Sequence, residues 1–183
     1  LKVVIPSNPY DAKGLLLSAI RDDDPIIFME PKRIYRAIKQ EVPEKDYTLP
    51  LGKANVVKEG SDITLIAYGA MLREAQRAAE EVGKEGIKCE IIDLRTIKPI
   101  DTETIITSVK KTGRCVIVHE GPRTCGVGAE IIARINDHAI LDLEAPIERV
   151  TGFDTVFPYF QNENHYLPEQ HRIVNSIKKV MEF

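Results

Sequence analysis

From Ile63 to the end of the chain, short apolar runs alternate with helical stretches, and this alternation limits the fold more than any other feature. Ile87 to Asp93 (IKCEIID) and Ile147 to Val150 read as strands that mix apolar and charged residues, whereas Ile63 to Tyr68 (ITLIAY) and Cys115 to His119 (CVIVH) are nearly continuous in apolar residues. Strands of that composition are buried on both faces, as in parallel sheets. Between them, Ala70 to Lys84 is rich in Ala and Glu and reads as a helix ending near Gly83 or Gly86. Asp101 caps a helix to Lys111 that Gly113 closes, and Gly126 or Gly128 opens one running to about Asp137. Pro168 begins a terminal amphipathic helix with Ile173, Ile177 and Val180 inward. The pattern predicts an α/β fold, a three-layer and mostly parallel sheet built from βαβ units.

The beginning of the chain is a smaller version of the same pattern. Val3 to Pro6 reads as a strand closed by the turn Ser7 to Pro9, and Asp11 is the expected cap of a helix with Leu15, Leu16, Ala19 and Ile20 on one face. Pro25 stops the helix, and Ile26 to Met29 is a second apolar run. One such β-α-β unit is too little to cover both faces of its own sheet. From Glu30 to about Gly60 the pattern fails, broken by Pro31, Pro43 and Pro50, and the stretch reads as a crossing linker that is partly helical around Lys32 to Lys39. Opening directly in LKVVIP, the chain is expected to be the C-terminal part of something longer.

Composition narrows the class. Across 183 residues, 43% are hydrophobic and 29% charged, which sets aside disordered, collagen-like and disulfide-rich secreted chains. A net charge of −3 gives no basic field for nucleic acid, and no apolar run approaches the roughly 18–20 residues of a membrane span. Cys89, Cys115 and Cys125 form no CxxC and read as the reduced thiols of a cytoplasmic protein.

Few motifs announce chemistry. Walker, HExxH and GxSxG patterns are missing, and the loop GPRTCGVGAE (Gly121 to Glu130) is only part of a phosphate-binding fingerprint. Gly126 and Gly128 are read as allowing a tight turn and close helix packing, and Cys125 as a packing thiol. His119 and Glu120 lie past the carboxyl end of an expected central strand, where ligands of open α/β sheets gather, yet a strand end at an interface has the same look. His138, His165 and His171 have no metal-ligand spacing. The run Asp22-Asp23-Asp24 falls at a helix C-terminus, where the macrodipole disfavours carboxylates unless a cation offsets them. A solvated acidic turn is the simpler reading of the same residues.

Several long stretches carry a resemblance. Leu1 to Arg36 (ending EPKRIYR), Glu41 to Gly69, Ile91 to Asp101 (IIDLRTIKPID), Lys111 to Glu120 and Arg149 to Tyr159 (RVTGFDTVFPY) resemble the beta subunit of the thiamine-diphosphate-dependent decarboxylating component of 2-oxo acid dehydrogenase complexes. EPKRIYR and GFDTVFPY look more like the branched-chain (2-oxoisovalerate) enzymes, while HEGP and GVGAE also occur in the pyruvate pattern.

The resemblance implies that Leu1 to Asp46 ends a pyrimidine-binding transketolase-like domain and that Tyr47 to Phe183 is a transketolase C-terminal-like domain. It implies oxidative decarboxylation of a 2-oxo acid and reductive acylation of a lipoyl group. Thiamine diphosphate and Mg would be held by the complete heterotetramer. Partners would be an alpha subunit, a second beta subunit and the subunit-binding domain of the lipoyl acyltransferase core, through a contact that includes the carboxylate of Phe183. The family's activating glutamate and its active-site histidine have no counterpart here, so no residue is nominated as catalytic or cofactor-binding, and the chain alone is expected to be inactive. A potassium site of the family maps onto the carbonyls of Ala19 and Ile20 and the side chains of Asp22 and Asp24, where Asp24 replaces a frequent Asn. Rival readings are a pyruvate dehydrogenase beta subunit, a transketolase or deoxyxylulose-phosphate synthase C-terminal region, and a non-catalytic α/β docking module. A 2-oxoacid:ferredoxin oxidoreductase would need iron–sulfur ligation that three scattered cysteines cannot supply.

Overall fold

The computed structural model describes residues 1–183 and contains two sheets. Its larger sheet has five strands, β3 (Asn55–Lys58), β4 (Ile63–Ala67), β5 (Cys89–Asp93), β7 (Cys115–His119) and β8 (Glu148–Thr151), in the order β3-β5-β4-β7-β8. β4, β5, β7 and β8 run parallel, and β3 pairs antiparallel with β5 at the edge. Helices α2 (Met71–Gly83), α3 (Thr102–Thr112) and α4 (Val127–Ala139) make the crossovers, and α6 (Gln170–Met181) follows a single turn, α5 (Glu163–Tyr166).

Strand alternation sorts the core onto the two faces of this sheet. Leu65 packs with Ala75 and Ala79 of α2 and with Ile173 and Ile177 of α6. Ile66 points the other way, into Ile105 and Val109 of α3 and Ile131 and Ile135 of α4. The polar exception, Thr64, is buried but satisfied, its hydroxyl lying 2.7 Å from Ser108 Oγ and 2.8 Å from Thr112 Oγ1 on α3. Helix limits follow the sequence. Asp101 accepts from the Thr104 N–H as the cap of α3, Gly113 ends that helix, and Gly126 stands at the start of α4.

The smaller sheet joins the two ends of the pattern. β1 (Lys2–Val4) pairs in parallel with β2 (Ile26–Phe28) through α1 (Pro9–Arg21), and antiparallel with β6 (Thr96–Lys98), which leaves the larger domain directly after β5. β2 is one edge of this sheet, with Ile27 46% exposed and Met29, just past the strand, 49% exposed.

Four expectations need correction. Asn8, not Asp11, caps α1: its side chain accepts from the Asp11 N–H, while Asp11 turns inward and is buried. The shift follows from Pro9, which is preferred at the first helical position. The linker helix shrinks to one 3-10 turn at Lys32–Ile34, because the helical pattern there has no buried face. β3 lies inside the expected linker, being short and bulged against β5, so its four residues show no clear period. Cys125 is an exposed thiol at φ 57°, not a packing one, because the loop turns it away from the core.

Candidate functional site

The carboxyl ends of the parallel strands face the N-terminal unit, and a cavity of about 540 Å³ lies between them. Its walls are mostly apolar, from Ile5 and Met29 on one side to Val127, Phe157 and Tyr166 on the other, with the Tyr68 phenol and the carboxyl groups of Glu30 and Glu120 as polar groups. Tyr68 follows β4 and Glu120 follows β7, so both are placed by the sheet itself. Burial raises the Glu120 carboxyl above its ordinary value, an effect that the Arg33 cation opposes and the Glu163 carboxylate reinforces. Burial also pushes the Tyr68 phenol up to about 12, and the nearby Glu120 adds to it.

His119 is brought to the same place but sealed beneath it. The side chain is fully buried, and neither ring nitrogen has a hydrogen-bond partner. Burial, assisted by the Arg149 cation, lowers its pKa to about 4, so the imidazole is neutral. The glycines above it are needed for space. A Cβ at Gly126 would lie 2.6 Å from His119 Cε1, and one at Gly128 would lie 2.9 Å from His119 Nε2. That close approach, not an anion cradle, accounts for the glycine loop. Asp154 fastens the loop by accepting from the Thr124 N–H at 2.9 Å and the Thr124 hydroxyl at 2.7 Å.

This cavity can accept an apolar body carrying a neutral or cationic polar group, with Glu120 as the proton donor or acceptor. It does not suit an anion, since the ionisable groups at its wall, Glu30 and Glu120, are carboxyls and His119 stays neutral. His138, His165 and His171 stand apart from it, and no three His, Cys, Asp or Glu side chains converge as a metal-holding cluster anywhere in the chain.

A family described as the transketolase C-terminal domain matches residues 52–173, and the transketolase pyrimidine binding domain matches residues 1–38. The chain belongs to the transketolase C-terminal domain family. It is 54% identical over 183 residues to the pyruvate dehydrogenase E1 component subunit beta of Staphylococcus aureus (strain Mu50 / ATCC 700699) and to that of Bacillus subtilis (strain 168). The alignments cover 100% of this chain and 56% of each relative, so the chain spans little more than half their length. A solved structure described as a split gene transketolase, inactive beta4 tetramer, superposes with a TM-score of 0.81 at 24% identity, over 99% of this chain and 57% of that one. That likeness is one of fold.

Away from the cavity, the acidic helix end is drawn together around a lysine. Lys2 Nζ lies 2.6 Å from Asp22 Oδ2 and 3.2 Å from Asp24 Oδ2, and Asp24 N–H donates to Asp22 Oδ1 at 2.9 Å. The Lys2 hydrogen bond lowers the Asp22 carboxyl, and Asp22 in turn raises Lys2. Parallel pairing of β1 with β2 makes this contact, since Lys2 stands in register with Ile26, just past the acidic run. Ile20 itself is 70% exposed on the last turn.

Sequence reasoning missed a polar cluster at the junction of the two sheets. Asp93, at the end of β5, is fully buried, and Arg95 forms a two-pronged ion pair with Asp11 at 2.8 and 2.7 Å. The available signal was the acid that ends IKCEIID, an ionisable residue directly after the apolar pair Ile91-Ile92.

Proposed function

We propose that the chain is the C-terminal part of the beta subunit of a 2-oxo acid dehydrogenase, in a heterotetramer with an alpha subunit and a second beta subunit. The observation that carries this reading is 54% identity along all 183 residues to proteins named as pyruvate dehydrogenase E1 beta subunits. Pyruvate becomes the preferred substrate, ahead of the branched-chain acid suggested by EPKRIYR and GFDTVFPY. The proposed domain division stays at Asp46/Tyr47, between the two matched ranges.

Thiamine diphosphate with Mg would supply the electron sink for decarboxylation in the assembled enzyme. The residues present here do not fit that group. No metal-holding cluster exists, and the carboxylate-bearing cavity has the wrong sign for a diphosphate. In this reading the chain contributes folded scaffold and contact surface. Ile27 and Met29 at the β2 edge, and Val156, Tyr159 and Phe160 at 89–94% exposed, are apolar groups suited to partner subunits. The end of α6 leaves Phe183 68% exposed, open to the subunit-binding domain of a lipoyl acyltransferase.

The test is reconstitution of the full-length gene product with its alpha subunit, assayed with pyruvate and with 2-oxoisovalerate. A higher kcat/KM for pyruvate supports the reading. A preference for 2-oxoisovalerate moves the substrate back to the branched-chain class, and ketose-phosphate activity without 2-oxo acid turnover rejects the dehydrogenase altogether.

The acidic helix end is proposed, separately, as a monovalent-cation site using the carbonyls of Ala19 and Ile20 with Asp22 and Asp24. Both carboxylates already gather around one cationic group, the Lys2 ammonium, which an entering ion would have to displace.

A further inference from the structure

Every direct tie from the start of the chain to the exit of β5 passes through residues 93–98. β1 pairs with β6, the Ile5 N–H donates to the Arg95 carbonyl at 2.8 Å, Arg95 grips Asp11, and the Ser7 hydroxyl donates to Asp93 Oδ1 at 3.0 Å. Within this junction Asp93 has an unbalanced environment. Oδ1 takes both the Ser7 hydroxyl and the Arg95 N–H, the latter at 3.1 Å, whereas Oδ2 is shut from solvent and has no donor. The nearest cation, Arg95, spends both of its prongs on Asp11. From α1 Asp11 presents a like charge, and in the flanking strands the register neighbours Asn55 and Ala67 carry none.

A carboxylate stranded in this way costs far more than a carboxylic acid, whose single buried hydroxyl is a much smaller loss. We propose that Asp93 is a proton-operated latch: as the neutral acid it holds Ser7 and the N-terminal unit against the sheet edge, and its ionisation releases them. Burial agrees with this, pushing the Asp93 carboxyl up to about 7, with Asp11 adding to the rise and the hydrogen bonds from Ser7 and Arg95 opposing it. An acid whose folded value is raised stabilises the closed form fully below the ordinary aspartate range. That contribution is lost as pH climbs through about 7. If release hydrates the carboxyl, the opening constant rises about tenfold per pH unit between about 4 and 7 and then levels.

The test follows the Asp93 carboxyl carbon by NMR and amide exchange at Ile5, corrected for intrinsic chemistry, with Leu65 in β4 as the internal reference. The expected result is titration of Asp93 near neutrality, with Ile5 opening about 50-fold more from pH 5 to 7 while Leu65 stays level. Asp93→Asn, neutral at every pH, removes that dependence. Should the variant fail to fold, the two wild-type measurements decide alone. Titration of Asp93 in the ordinary aspartate range, or Ile5 opening that tracks Leu65, overturns the latch.

Discussion

β4, β5 and β7 of the larger sheet are buried at every residue, whereas β2 of the smaller one, just as apolar, is buried at none. What separates them is cover. The inner strands have neighbours on both edges and helices on both faces, while β2 has one neighbour and partial cover from α1. An apolar run therefore specifies a strand, but the number of layers around it decides what that strand contributes to stability. The small unit instead joins the large one through a buried polar junction, the Asp11–Arg95 ion pair beside the pairing of β1 with β6.

The largest effect is expected at the junction. Arg95→Met removes one partner of a pair in which Asp11 is 1% exposed and leaves a buried, unpaired carboxylate. A loss of about 3–5 kcal/mol is expected by denaturant unfolding, with protection lost first in β1 and α1. Loss spread evenly over all strands would show that the two regions form one cooperative unit.

Core truncation sharpens the contrast. Leu65→Ala, in a fully buried strand, should cost about 2–5 kcal/mol, and Ile27→Ala on the exposed edge well under about 1 kcal/mol. Comparable losses in chemical denaturation would mean that β2 is covered, for instance by a second copy of the chain.

Legibility followed the same division. The βαβ alternation, the Asp101 cap, the Gly113 stop and the inward face of α6 could all be read locally, because each depends on neighbours a few residues away. Pro9 sets the start of α1 and makes Asn8 its cap, which leaves Asp11 inside the first turn, where it meets Arg95 84 residues along the chain. Lys2 likewise reaches Asp22 through strand register, across 20 residues. The cavity was legible only as a strand end bearing His119 and Glu120. That one of the pair would be sealed and the other open depends on how Gly126 and Gly128 lie against the ring. No local pattern encodes that.

The two regions should also respond to pH in opposite senses. His119 belongs to the large domain and is held neutral, its pKa lowered to about 4. A base with a lowered folded value contributes stability that is present above the unfolded value near 6.5 and lost as pH falls toward 4. The full loss is about 3 kcal/mol. Unfolding free energies of the wild type between pH 7 and 4.5, set against His119→Gln, measure it. Equal slopes in the two proteins would place the acid limb elsewhere, whereas the Asp93 limb should act on the small unit as pH rises.

The smallest effect is expected at the acidic helix end, where Lys2 and two carboxylates meet in partly exposed positions. Carboxylates at a helix C-terminus face the negative end of the dipole, and Lys2 offsets them from within the chain. If the carbonyls of Ala19 and Ile20 with Asp22 and Asp24 also suit potassium, the ion and the ammonium compete for the same oxygens. Wild-type protein should then melt at nearly the same temperature in potassium chloride and in tetramethylammonium chloride, the latter cation being too bulky to enter. Lys2→Ala removes the competitor, so the variant should melt higher in potassium than in the bulky salt at equal ionic strength, and adding Asp22→Asn should erase that gap. A Lys2→Ala protein that melts alike in both salts would show that the acidic end needs only its lysine, and that Asp22 and Asp24 are a capped turn and not an ion site.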